Sequence, residues 1–159
     1  MQNPDSANTG PVHPVAATLH ALLALANQTE REASRSLGLN LTDYRALTVL
    51  AESGPITVGA LAAEMGATAA TTTAVVSRLE AHALVERLRG SEDRRHVHVA
   101  VTEDASGRLA ALAGPVLPAA SAHLEGLAPE HQRVMGDFLN DMKQLMEQHL
   151  QTLAGKESL

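Results

Sequence analysis

The chain has 159 residues, of which 45% are apolar and only 1% aromatic, with a formal net charge of -6 and no cysteine. That length allows one ordinary domain, or one domain with an extension, and its core must be aliphatic. The missing cysteine excludes disulfides, thiol nucleophiles, thiolate metal sites and cysteine redox sensing.

No signal-peptide pattern opens the sequence, and no run of about 18 apolar residues occurs, so a cytoplasmic chain without a transmembrane helix is expected. Residues 1–14 carry three prolines and small polar residues without a period, which reads as a flexible arm. Val15, Leu19, Leu22, Leu23 and Ala26 then recur at helical spacing and predict a first helix from about 14 to 36, stopped by Gly38. "LTDYRALTVLAESGP" predicts a second helix, N-capped by Thr42, with Asp43 in its first turn, Leu47 and Leu50 inward, and Gly54-Pro55 at its end.

"ITVGALAAEMG" predicts a short third helix capped by Thr57, with Ala60, Leu61 and Met65 as its apolar side and Gly66 closing it. Only Gly66, Ala67 and Thr68 separate it from a fourth, "AATTTAVVSRLEAH". Two short helices joined this tightly through a glycine are a helix-turn-helix. "LVERLR" and "HVHVAVT" follow as strands around the turn "GSED", so a β-hairpin wing comes directly after the second helix of the motif. Thr102 is placed to cap a fifth helix that Pro115 and Pro118 should kink or break. Pro129 opens a sixth, in which Val134, Phe138, Met142, Leu145 and Met146 form a stripe that Met135, Leu139 and Leu150 widen. The fold class is mainly α with a small β-hairpin wing: a winged helix-turn-helix lobe plus N- and C-terminal helices.

Charge is not spread evenly. Residues 68–102 carry five arginines and four acids, whereas residues 1–67 carry three bases and six acids and residues 103–159 four bases and eight acids. The middle third is therefore the one part that a polyanion does not repel. Within it, a helix-turn-helix puts the start of its second helix into the DNA major groove. Thr68 and the free N–H groups behind it can hold a phosphate. Val75, Val76 and Leu79 face inward, which leaves Ala70, Thr71, Thr73, Ala74, Ser77 and Arg78 toward groove or backbone, with Arg78 the strongest candidate for a phosphate or a guanine edge. The opposing account is a threonine-rich helix that only solvates its outer face. Arg94 and Arg95 stand at the hairpin turn, where a wing tip meets the minor groove, and arginine suits that groove's negative potential. Asp93 fits there as a partner that fixes an arginine rotamer. Arg87 and Arg89 can instead line the outer face of their strand.

These residues resemble the MarR family of transcriptional regulators, in detail from about Leu41 to Leu109. "LTDYRALTVLAESGPITVGALAAEMG" resembles its second and third helices, and "SRLEAHALVERLRGSEDRRHVHVAVTEDASGRL" its recognition-helix end, wing and next helix. The most specific element is Asp93-x-Arg95-x-x-x-Val99 after "LVER". The resemblance implies a homodimer whose terminal helices interlock, with two lobes straddling a pseudo-palindrome. It implies Arg95 as the minor-groove arginine, Asp93 as its positioning partner, and Ala70 and Thr71 at base edges. Two positions depart from the family pattern: Ala83 stands where glycine is usual, and Thr72 where a larger apolar residue is usual.

The domains expected are an arm over 1–14, a dimerisation helix over 15–40, a winged helix-turn-helix lobe over 41–102 and dimerisation helices over 103–159. The function expected is a dimeric, sequence-specific DNA-binding regulator, a repressor released by a small-molecule effector. The resemblance implies a small aromatic or phenolic acid, and His20, Tyr44 and Arg45 are the residues that can line its cleft. A winged-helix protein-interaction module or scaffold is the alternative that the acidic net charge favours. No glycine-rich phosphate loop, carboxylate pair or metal motif marks an enzyme, and the eight histidines form no dense ligand cluster. No cofactor, catalytic residue or metal site is therefore expected.

Overall fold

The computed structural model describes residues 12–89 and 97–156. They fall into two compact units, one ending at Leu112 and the other beginning at Ala113.

The first unit opens with α1 (Pro14–Ser36), where Pro14 takes the first helical position and the Val15 N–H donates to His13 Nδ1 at 3.2 Å. α2 (Leu41–Ser53) is capped by Asn40, whose side-chain oxygen accepts from the Asp43 N–H at 2.9 Å. This corrects the expected cap at Thr42: the helix begins one residue after Asn40, so Thr42 already lies in its first turn. Gly54 ends α2, and β1 (Ile56–Thr57) follows, a strand the sequence reading did not contain. It pairs antiparallel with β3 (Val97–Val101), Ile56 opposite Val99 and Thr57 opposite His98. β2 (Val85–Arg89) pairs on the other side of β3, Arg87 opposite Val99, so the sheet order is β1-β3-β2.

α3 (Val58–Glu64) is capped by Thr57 as expected, with the Ala60 N–H donating to its hydroxyl at 3.1 Å. Its buried residues are Leu61 and Ala62, while Ala60 is exposed. The expected inward alanine was thus two positions early. In a two-turn helix with alanine on several sides, tertiary packing decides which one is covered. Gly66 turns the chain with φ +60°, and Thr68 caps α4 (Ala69–Ala81) by accepting from the Thr71 N–H at 3.2 Å. From α4 the inward residues Thr72, Val75, Val76 and Leu79 meet Leu47 and Leu50 of α2, Leu61 of α3 and Val99 of β3 in one aliphatic core. Thr72 tolerates full burial because its hydroxyl donates to the Thr68 carbonyl at 3.0 Å. α5 (Glu103–Ala113) adds Ala105, with Leu109 and Leu112 packed against the same core. Thr102 caps it as expected, accepting from the Ala105 N–H at 3.3 Å.

Ala83 follows α4 with φ +56°, and its conformation is imposed by its neighbours. The Ala83 N–H donates to the Glu80 carbonyl, the Leu84 N–H to the Leu79 carbonyl, and the Thr102 hydroxyl donates to the Ala83 carbonyl at 3.0 Å. A left-handed residue carrying a Cβ costs about 1–2 kcal/mol. Glycine removes that strain but carries about 0.5–1 kcal/mol of extra chain entropy. Ala83→Gly should therefore stabilise the fold by about 0.5–1 kcal/mol, read as a rise of roughly 1–4 °C in melting temperature. A fall would show that the strain is relieved elsewhere.

The second unit holds α6 (Val116–Glu125) and α7 (Pro129–Lys156). The expected break comes at Gly114-Pro115, and Pro118 is accommodated in the first turn of α6, where its missing N–H leaves no bond unmade. α7 runs 28 residues, about 42 Å at helical rise. Its Val134, Met135, Leu139, Leu145, Met146, Leu150 and Leu153 are all exposed in the single chain.

Candidate nucleic-acid interface

The core residues of α4 fix which of its side chains point outward. With Thr72, Val75, Val76 and Leu79 buried, Ala69, Ala70, Thr71, Thr73, Ala74, Ser77 and Arg78 are exposed. All of these but Ala69 are the residues the sequence reading turns toward groove or backbone. Its first turn is polar but locally satisfied. The Thr68 and Thr71 hydroxyls lie 2.9 Å apart, and the Thr73 hydroxyl donates to the Ala69 carbonyl at 2.8 Å. Thr73 therefore presents oxygen lone pairs outward and keeps its own proton on the helix. The small side chains at 69, 70 and 74 leave the helix start open to close approach by a base edge or phosphate.

Arg78 is held in a way the sequence did not reveal. Its Nε donates to Asp43 Oδ2 at 2.9 Å and its Nη2 to Asp43 Oδ1 at 2.6 Å, a two-pronged bridge from α4 to the first turn of α2. Asn40 Nδ2 donates to Asp43 Oδ2 at 2.8 Å and completes the cluster. The Asp43 side chain is 4% exposed, whereas Arg78 remains 49% exposed. Hydrogen bonding to Asp43, with its charge adding, raises the Arg78 pKa. Asp43 was legible only as a favourable first-turn acid, because its partner lies 35 residues away. A second bridge joins α4 to the hairpin: Arg87 Nε donates to Glu80 Oε2 at 3.1 Å. Arg87 stands opposite the buried Val99 and two residues from the buried Val85, so it shares the core-side face of β2 and turns to α4, a correction to the expected outer-face position. Asp93, Arg94 and Arg95 lie outside the described residues, as does His96.

Of the three residues assigned to an effector, the structure places two together on α2. Arg45 donates through Nε and Nη2 to Glu30 of α1, at 2.7 and 3.0 Å. This bond holds the Glu30 carboxyl below its usual range and raises Arg45. Tyr44 is half-buried, and burial, with the Glu30 charge adding, pushes its phenol up. A cleft of about 410 Å³ lies between α2 and α3, lined by Thr42, Arg45, Thr48, Val49, Glu64, Met65 and Ala67. His20 is exposed and does not line it, standing ten residues, about 15 Å, along α1 from Glu30. Among the described residues, no group of three or more histidine, aspartate or glutamate side chains is placed to hold a metal ion. No helix among them is long and apolar enough to cross a membrane.

A family model described as the MarR family matches residues 39–97, which run from the loop before α2 to the start of β3. The uncharacterised HTH-type transcriptional regulator YfiV of Bacillus subtilis (strain 168) is 30% identical over 111 residues, covering 70% of this chain and 69% of its own length. The chain belongs to the MarR family. As a MarR regulator it is a DNA-binding transcriptional regulator, and its helices and three-stranded antiparallel sheet form the family's winged-helix fold. A MarR family protein from Bacillus stearothermophilus has the same fold, with a TM-score of 0.62 and 26% identity over 84% of this chain and 93% of its own. The fold recurs in NadR, solved in complex with 4-hydroxyphenylacetate, with a TM-score of 0.57 and 24% identity over 88% of this chain and 97% of NadR.

Proposed function

We propose that this MarR regulator works as a homodimer on a pseudo-palindromic operator, as a cytoplasmic repressor and not as a catalyst, and that a small aromatic or phenolic acid releases it. The observation that carries the reading is the start of α4, small and hydroxyl-bearing on its open face, with the β2–β3 hairpin directly behind it. In this reading Thr68, Ala70, Thr71, Thr73 and Ser77 face the major groove, and Arg78 adds charge at its edge. Arg94 and Arg95 reach the minor groove, with Asp93 orienting an arginine. α1 and the helices after Thr102 supply the dimer contacts, since their exposed leucines, valines and methionines need a cover that the single chain does not give them. Two lobes related by a two-fold axis meet successive major grooves, so half-site centres fall about 10 base pairs apart.

The α2–α3 cleft supports the effector. It combines the Arg45 guanidinium and the Thr42 and Thr48 hydroxyls with the apolar Val49 and Met65, a lining suited to an aromatic carboxylate. Such a ligand competes with Glu30 for Arg45, beside Tyr44, and His20 is the more distant member of the proposed set. It lowers DNA affinity only as far as it prefers the lobe spacing that DNA disfavours.

Selection of duplexes from a random-sequence library, followed by footprinting, tests the reading. A single unpaired half-site would count against the dimeric operator. On the selected duplex, Arg95→Ala should cost about 1–3 kcal/mol of binding and lower the salt slope by about 0.9 if the side chain neutralises one phosphate. Folding should change by no more than about 0.5 kcal/mol, as for an ordinary surface site. Unchanged affinity and salt slope would remove the hairpin arginine from the mechanism.

A further inference from the structure

We propose that Asp43 is a positioning residue of the DNA interface: it fixes the Arg78 guanidinium, and with it the outer face of α4, and so sets how well the regulator tells its operator from other DNA. This rests on the reading of α4 as the groove helix. Asp43 is the one charged side chain in the buried set among the described residues. A carboxylate taken out of water is costly unless it is fully paired, and an apolar substitute of similar size often serves stability as well. What a buried pair supplies more dependably is geometry. Asp43 accepts three hydrogen bonds, two from Arg78 and one from Asn40, and its own N–H is taken by Asn40 Oδ1.

Thr71, Ala74 and Arg78 follow one another at spacings of three and four, so they share one outward stripe of α4. Arg78 is half exposed on that stripe although two of its nitrogens are bound, and among the described residues Nη1 has no partner. A planar fork held at two points is already ordered before DNA arrives. Ordering a long side chain at the moment of binding costs roughly twofold to tenfold in affinity. The bridge also acts on the helix itself. Arg78 ties α4 to α2 and Glu80 ties it to β2, and two residues are about 200° apart around a helix. Rotation of α4 about its axis is thus opposed from both sides, and rotation is the motion that would move Ala70 and Thr71 off their bases.

The test uses the full chain and the duplex it selects from a random library, with a scrambled duplex of the same length as the comparison. Asp43→Asn keeps the shape and the Asn40 contact but removes the charge, and Arg78→Lys keeps the charge but loses the fork. Each should lower the ratio of selected to scrambled affinity by five- to twentyfold, with scrambled binding changed by less than threefold. The double variant should fall no further than twofold below either single one, because both break the same link. The ratio is insensitive to the fraction folded, and Arg78→Lys, at a half-exposed site, carries the test if Asp43→Asn does not fold. An unchanged ratio makes the bridge purely structural, equal tightening on both duplexes makes Asp43 only a repelling charge, and multiplicative single effects make the two residues independent; each overturns the proposal. A wild-type chain that selects no duplex removes the DNA reading beneath it, an outcome distinct from the other three.

Discussion

Glutamate at both Leu139 and Met146 of α7 should convert the regulator to a monomer and remove most of its operator binding. The two positions are seven residues apart, two turns along one face, and are 54% and 48% exposed in the single chain. Both can accept a polar side chain without disturbing the folded chain, so the cost falls on association. In a two-fold interface each substitution occurs twice and buries an unpaired carboxylate, at about 3–5 kcal/mol for a broken charge in such a place. Even one such penalty weakens the dimer by more than a hundredfold. Light scattering at micromolar concentration should then fall from about twice 16.7 kDa to the mass of one chain. With one lobe left to hold one half-site, operator affinity should fall with it. A variant that stays dimeric would place the two-fold contact on α1 or α6 instead.

Leu79→Ala should be the most damaging single truncation of the DNA-binding lobe, lowering the free energy of unfolding by about 3–5 kcal/mol. Leu79 is fully buried, belongs to the same cluster as Leu47, Leu50, Leu61 and Val99, and stands between the two charged residues that bridge α4 to its neighbours. Those bridges hold the backbone of α4 where it is, so the void cannot close by the helix sliding inward, and the cavity cost adds to the lost transfer energy. Urea denaturation read by far-ultraviolet circular dichroism measures it directly. A loss below about 1.5 kcal/mol would mean that the core does collapse onto the smaller side chain.

The elements that could be read from the sequence are those whose signal is local and repeated. α1 shows its leucines at helical spacing, though most of them stay exposed in the single chain, α2 and α4 show their inward leucines and valines, the hairpin shows its alternation, and Pro115 shows the break between α5 and α6. The misses have specific causes. β1 is two residues long and has no period to detect, and only the pairing of Ile56 with Val99 makes it a strand. The sequence reading puts the cap of α2 at Thr42, but Asn40 caps a helix equally well two residues earlier, and there its side-chain oxygen takes the Asp43 N–H. Ala60 and Ala62 are chemically equivalent, and only the neighbours of α3 distinguish them. The outward face of α4 was legible because its complement, Val75, Val76 and Leu79, is apolar. The partner of Arg78 was not, since an acid at the head of α2 and an arginine late in α4 meet only once the core has brought the two helices together.

The lone tyrosine gives the chain a built-in optical probe. With one tyrosine and no tryptophan in the sequence, its near-ultraviolet emission arises almost wholly from residue 44, half-buried on α2 within the field of Glu30. An unlabelled sample therefore reports on the junction of α1 and α2 alone. A change in the Arg45–Glu30 bond alters the charge beside that phenol, so perturbation of this junction can be followed by emission without any attached dye when the added compound is itself transparent in the near ultraviolet.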